Sequence, residues 1–345
     1  METQYWSLND KNEEAVLAAA GALIRSGEVV AFPTETVYGL GANGLDGMAV
    51  KKIFAAKGRP SDNPLILHIA DKQAILPLTA ALPKQAQLLM ERFWPGPLTL
   101  IVPKSTLIPD EVSAGLSTVA VRMPSHPVAA RLIKQAGVPI AAPSANLSGK
   151  PSPTDGRSVL EDMQGRIAGV IDGGSSMVGV ESTVVDVTGA VPVILRPGGI
   201  TREELEQVLG RVELDPALTG GSVLKPRAPG MKYRHYAPQA RMYVFTAAEK
   251  AALREIITRL AQRTALICDE DCASEFLPSA KLTVFNWGNS PRTLAAGLFG
   301  YLRECDRLQI EVIFAQAVPK DGLGLAVMNR MEKAAGGKCL SDYQE

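Results

Sequence analysis

A chain of 345 residues with 36 basic and 36 acidic side chains carries no net charge, which argues against retention on nucleic acid by a general positive field. It is long for one compact domain, and 46% apolar with 21% charged residues is an ordinary globular balance, so two domains are expected. No apolar run approaches the ~18 residues of a membrane span, the opening METQYWSLNDKNEEAV lacks the make-up of a secretory signal, and Cys268, Cys272, Cys305 and Cys339 fit neither a disulfide scaffold nor a common zinc pattern, so a cytoplasmic protein without membrane attachment is expected.

In chain order, EVVAF (28–32) and PLILHIA (64–70) read as strands, and DGMAVKKIFAAKG (46–58) between them reads as a helix ended by Gly58. PLTLIVP (97–103) and TVAVRMP (118–124) are further strands, followed by the helix HPVAARLIKQAG (126–137) and the strand VPIAAP (138–143). GVIDGG (169–174), STVVDV (182–187) and VPVILRP (191–197) are separated by turn residues, which predicts that they pair as antiparallel neighbours. Together these segments predict an α/β domain over 1–210, a twisted mixed sheet with helices packed on it. Residues 211–240 hold four prolines and five basic against two acidic side chains, and they break every period, so they read as a linker. Beyond it, RMYVFTA, TALICDE, KLTVFNWG and EVIFAQA alternate with AEKAALREIITRLAQ, SPRTLAAGLFGYLREC and LAVMNRMEKAA. That alternation predicts a smaller, Rossmann-like parallel α/β domain over 241–345.

Several familiar sites are missing. No P-loop, no G-x-S-x-G elbow and no H-E-x-x-H occurs, and three histidines are too few for a multi-histidine metal site. What remains is a set of polar loops at strand ends. FPTETVYGLGANG (32–44) combines Thr34, Glu35, Thr36 and Tyr38 with glycines that permit close backbone approach. KGRPSDNPLILH (57–68) puts Lys57 and Arg59 two apart in a proline-stiffened loop with Ser61 and Asn63, and His68 follows in the strand. Arg122 interrupts the strand in STVAVRMPSHP, where a half-buried guanidinium needs an anion; no carboxylate nearby in sequence supplies one, although a distant Asp or Glu could. AAPSANLSGKPSPT (141–154) offers Ser144, Asn146 and Ser148, while Ser182 with Thr183 opens one strand and Arg196 closes another. A concave site lined by Lys57, Arg59, Arg122 and Arg196 suits a substrate carrying both phosphates and a carboxylate.

The paired KGRP-S-D-NPL and PSANLSG segments resemble the K-x-R and S-x-N signature of the YrdC-type domain, and FPTETVYGLG, FWPGPLTL and VAVRMPSHP resemble the same family in the same order. With KYRHYAP and the C-terminal domain, nearly the whole chain is similar to the two-domain L-threonylcarbamoyladenylate synthases. That resemblance implies condensation of L-threonine, bicarbonate (or CO₂) and ATP to threonylcarbamoyl-AMP and pyrophosphate, with Mg²⁺ assisting. The product feeds N6-threonylcarbamoyladenosine (t6A) modification of tRNA by downstream proteins. The resemblance implies that Lys57, Arg59, Asn63, Thr118, Ser144, Asn146, Arg196 and Tyr236 hold ATP, with Lys57 and Arg59 catalytic. Thr34, His68, Arg122, Ala142 and Ser182 would surround the threonine, Arg122 facing its carboxylate, and KYRHYAP would fold over the nucleotide as a lid. No stable nucleic-acid binding is expected of the protein. Carbamoyl transfer from carbamoyl phosphate and an RNA-binding, translation-associated module remain the alternatives.

Overall fold

The computed structural model describes residues 2–61, 63–218 and 236–344. Within them the chain divides into two compact units: one reaches Ser148 and resumes at Ser152, and the other takes Gly149–Pro151 and the residues from Tyr236 onward. Lys232, Tyr233, Arg234 and His235 of the expected lid lie outside the described residues.

The first unit runs β1 (Gln4–Ser7), α1 (Glu13–Arg25), β2 (Val30–Phe32), β3 (Gly39–Asn43), α2 (Gly47–Lys57), β4 (Ile66–His68), α3 (Lys84–Phe93) and β5 (Leu98–Pro103). It continues with α4 (Asp110–Ser113), β6 (Thr118–Arg122), α5 (Pro127–Ala136), β7 (Ile140–Ala142), α6 (Gly156–Met163), β8 (Gly169–Asp172), β9 (Thr183–Asp186), β10 (Val193–Arg196), α7 (Arg202–Leu209) and β11 (Glu213–Leu214). The eleven strands form one mixed sheet in the order β1-β8-β2-β3-β7-β4-β6-β5-β9-β10-β11. Local chemistry sets the helix ends near the site. Asp46 caps α2 by accepting from the Met48 and Ala49 amides, and Gly58 takes φ 62° to end it, a conformation that disfavours a side chain.

Period-two alternation divides the central strands between two faces. Leu67, Leu100, Val121, Ala141 and Val185 join the large core that includes α2 and α3. Their neighbours Ile66, Ile101, Ala120, Val184 and Leu195 form a separate small cluster that contains strand residues alone. On that second face, α1 and α5 pack over Val30, Phe32, Ile140 and Ala142. Fully buried Leu17, Ile24 and Leu132 anchor the two helices, each contributing about 1.5–3 kcal/mol of burial.

Two expectations need correction. GVIDGG does not pair beside STVVDV: β8 runs parallel to β1 and β2 at the far side of the sheet, while β9 and β10 do pair antiparallel. The helical crossover α6 delivers β8 to a parallel partner, and turn residues say nothing about which strand that will be. The short β1 and helices α1, α3, α6 and α7 were not anticipated; β1 is a mostly exposed four-residue edge strand with little apolar pattern to read.

The second unit contains β12 (Arg241–Phe245), α8 (Lys250–Arg259), β13 (Thr264–Cys268), α9 (Glu270–Ser274), β14 (Leu282–Asn286), α10 (Pro291–Arg307), β15 (Val312–Gln316) and α11 (Gly322–Ala335). Its four strands are all parallel, ordered β12-β15-β13-β14, as strand–helix alternation predicts.

Candidate active site

Sheet register assembles residues that lie far apart in sequence. Ile140 of β7 is opposite His68 of β4, His68 opposite Arg122 of β6, Arg122 opposite Thr99 of β5, Thr99 opposite Val184 of β9, and Val184 opposite Arg196 of β10. Directly opposed residues share a face, so this row crosses the face whose small cluster holds strand residues alone. Arg122 and Arg196 are three strand spacings apart, ~14 Å. Thr118 stands at the other end of β6, four residues or ~13 Å from Arg122 and on the same face.

Arg196 reaches that face through a bulge. Ile194 is opposite Val185 and Arg196 opposite Val184, so one extra residue enters β10 between them. Simple alternation would have put Arg196 with Ile194 in the large core; the bulge turns Leu195 and Arg196 to the other side. There the Arg196 guanidinium donates to the Ser182 carbonyl at 3.0 and 3.1 Å and to Ser182 Oγ at 3.1 Å, and Ser182 Oγ meets Thr99 Oγ1 at 2.7 Å.

The loop between β2 and β3 supplies the other end of the row. Arg122 Nη1 donates to Thr36 Oγ1 at 2.9 Å, and Arg122 Nη2 is 2.8 Å from Glu35 Oε1, an ion pair with both side chains about 95% buried or more. Burial by itself would raise the Glu35 carboxyl, but the Arg122 charge and hydrogen bonding to the carboxylate outweigh it and hold the group below its ordinary range. Arg122 therefore has a carboxylate partner 87 positions earlier in the chain, the distant one that the sequence left open. Thr34 Oγ1 donates to the Val37 carbonyl at 2.6 Å and lies 2.8 Å from Thr36 Oγ1. Since the single proton of Thr34 is committed to a carbonyl, Thr36 must donate to Thr34. The chain thus runs in one direction, from Arg122 through Thr36 and Thr34 to Val37.

His68 is 4% exposed, and its Nδ1 is 3.1 Å from the Ile66 carbonyl, which can only accept, so the proton is on Nδ1. Burial, with the neighbouring Arg122 charge second, pushes its pKa down to about 3, so the ring is neutral at physiological pH. Ala142 lies opposite Ile66 at the end of β7.

The two signature segments meet. Lys57, at the end of α2, is 3% exposed, and its Nζ donates to the Ser144 and Asn146 carbonyls at 2.6 Å each. Ser144 Oγ donates to Asn146 Oδ1, and the Ser148 amide donates back to the Lys57 carbonyl. Lys57, the last residue of α2, points inward, where its ammonium gives donors to two carbonyls of the loop after β7. Arg59 stays partly exposed over the Phe54 ring and donates to the Asn63 carbonyl at 3.2 Å, while Asn63 is fully buried. Tyr236 belongs to the second unit, where its ring stacks on Phe299 at 5.1 Å.

Sequence reasoning named Glu35 and Thr36 only as loop members and overlooked Thr99. A threonine in the middle of the otherwise apolar PLTLIVP was the available signal. Among the described residues, no group of three His, Cys, Asp or Glu side chains gathers in the manner of metal ligands, so these residues do not fit a resident divalent ion.

A family model described as "Telomere recombination" matches residues 22–198, and one described as "Threonylcarbamoyl-AMP synthase, C-terminal domain" matches residues 200–336. A threonylcarbamoyl-AMP synthase of Pyrococcus abyssi is 49% identical over 97% of this chain and 98% of its own length, and one of Bacillus subtilis is 48% identical over 99% and 100%. The solved structure of P. abyssi Sua5 complexed with L-threonine matches with TM-score 0.91 at 47% identity, covering 98% of this chain and 99% of that one. The chain belongs to the threonylcarbamoyl-AMP synthase family.

Proposed function

We infer that this chain condenses L-threonine, bicarbonate (or CO₂) and ATP to threonylcarbamoyl-AMP and pyrophosphate, for t6A modification of tRNA. Near-complete coverage by synthases of 48–49% identity supports the reading, and so does the cross-strand row that brings Arg122, His68, Ser182 and Arg196 to one face. The row is the observation that carries it: two arginines whose backbones stand three strand spacings apart, with hydroxyls between them, suit a molecule with a carboxylate at one end and phosphates at the other.

In this reading Thr34, His68, Arg122, Ala142 and Ser182 hold threonine, with its carboxylate toward Arg122. Lys57, Arg59, Asn63, Thr118, Ser144, Asn146 and Arg196 hold the nucleotide, joined by Tyr236 and the linker. The neutral threonine amine attacks the carbon of CO₂ and releases a proton, or attacks bicarbonate with loss of water, to give a carbamate. A carbamate oxygen then attacks the α-phosphorus, and the bond to the bridging oxygen of pyrophosphate breaks. No protein nucleophile is required. The chain contributes alignment of the two reactants and cations facing the charge that builds on the phosphates. Neutral His68, protonated on Nδ1, keeps Nε2 as an acceptor and adds no second positive charge beside Arg122. Mg²⁺ enters bound to ATP as part of the substrate, and the proteins that transfer the product to tRNA are the downstream partners. No helix among the described residues is long and apolar enough to cross a membrane, which accords with work in the cytoplasm.

Incubation of the full chain with ATP, Mg²⁺, L-threonine and bicarbonate should release pyrophosphate only when threonine is present. Equal release with and without threonine, or none at all, refutes the reading.

A further inference from the structure

We propose that Glu35 is a positioning residue for Arg122, holding its guanidinium so that the Nε edge is presented to the carboxylate of the amino-acid substrate. The proposal rests on the reading that Arg122 receives that carboxylate.

Glu35 is 2% exposed and Arg122 4%, so neither charge is stabilised by bulk water. Each depends on the other. Glu35 sits in the loop between β2 and β3, and that loop is held on both sides. The Ser176 hydroxyl donates to the Thr34 carbonyl, the Val178 amide to the Glu35 carbonyl, and the Gly179 amide to the Thr36 carbonyl. A carboxylate on so restrained a backbone is a fixed anchor for the flexible arginine stem.

The guanidinium carries five donors in a rigid plane. Nη1 is directed to Thr36 Oγ1, and Nη2 faces Glu35 Oε1. Nε and Nη2 are buried and neither has a hydrogen-bond partner among the described residues, the Nη2 contact with Glu35 Oε1 being an ion pair. Nε–H and the adjacent Nη2–H form a parallel fork that matches a carboxylate. Glu35 and Thr36 together set the plane of the guanidinium and therefore the direction of that fork. Thr36 cannot do so alone, because a single hydrogen bond accepted from Nη1 leaves the guanidinium plane free to turn about it.

Glu35 turns Oε1 to Arg122 Nη2, so its effect on the substrate passes through Arg122. It also makes the paired site neutral before substrate arrives, which leaves the incoming carboxylate to be recognised by geometry more than by net charge.

The test is a double-mutant cycle on the full chain with Glu35→Gln, Arg122→Lys and the double variant, reading KM for threonine and for ATP, kcat and Tm. Glu35→Gln keeps the shape and removes the charge. The expected result, read at a temperature where the variant is folded, is a rise of tenfold or more in KM for threonine with KM for ATP within twofold, beside a lowered Tm because the buried Arg122 charge loses its partner. In the Arg122→Lys background the same change should move KM for threonine less than twofold. An unchanged or lower KM for threonine in Glu35→Gln, beside a large rise in Arg122→Lys, overturns the proposal and leaves the carboxylate reading intact. No change in Arg122→Lys overturns both. Equal rises in the two KM values, read where the variant is folded, assign Glu35 a merely structural role and also overturn it.

Discussion

Replacing Lys57 by Ala tests whether the first signature motif is a structural fastening as well as part of a binding site. In the structure the ammonium is 3% exposed and donates to the Ser144 and Asn146 carbonyls at 2.6 Å each. Hydrogen bonds from a charged donor contribute about 1.5–3 kcal/mol each, and carbonyls left buried without donors add a desolvation penalty. The two estimates overlap, and lost desolvation of the ammonium itself offsets part of the sum. We expect a net loss of about 3 kcal/mol. For a unit of this size each kcal/mol shifts Tm by about 2–4 °C, so the transition of the first unit should fall by about 6–12 °C. Differential scanning calorimetry at neutral pH on the full chain reads this directly, and pyrophosphate release at a temperature where the variant is fully folded separates stability from turnover. A Tm within ~2 °C of wild type, with turnover abolished, would show that the ammonium serves substrate alone and refute the reasoning.

Gly198→Ala should cost about 2–3 kcal/mol, because a Cβ there would meet the Glu181 carbonyl oxygen at 2.2 Å and Ser182 C at 2.4 Å, both backbone; urea denaturation checks it, and a loss under ~0.5 kcal/mol sinks it. His68 has a folded pKa of about 3 against an ordinary 6.5, so the unfolded chain binds the extra proton between those values and stability falls as pH drops from 6.5 toward 3. Glu35, held low, adds its own loss further into acid as it protonates. His68→Gln should therefore show a smaller drop in Tm between pH 7 and pH 4.5 than wild type; parallel profiles would count against a buried neutral ring.

The sequence was most informative where local chemistry decides the outcome. Gly58 ends α2 as its position implied, and the strand cores PLTLIVP and TVAVRMP became β5 and β6. Motif spacing also identified the K-x-R and S-x-N segments, which do meet, through Lys57. It did not reveal that Lys57 turns inward, since the carbonyls it serves lie in the loop after β7, more than eighty residues further along the chain. The Arg122–Glu35 pair was hidden for a related reason: it depends on which loop lies above β6, and that follows from a strand order no short window contains. Arg196 is the sharpest case. Reading VPVILRP by alternation places it on the wrong side of β10, and only the register irregularity at 194–196 corrects this. Pairing of β8 with β1 and β2 was equally out of reach, as parallel partners are chosen by packing of the connecting helix.

That single surplus residue in β10 divides the hairpin into two parts with different tolerance. Toward its tip, the exposed turn at 188–189 can be lengthened without changing the register from Val193 onward, so grafted peptides or labels belong there. Between Ile194 and Gly198 the count of residues is part of the chemistry: removing one would swing the guanidinium of Arg196 to the helix-covered side, and no compensating side-chain change nearby could bring it back.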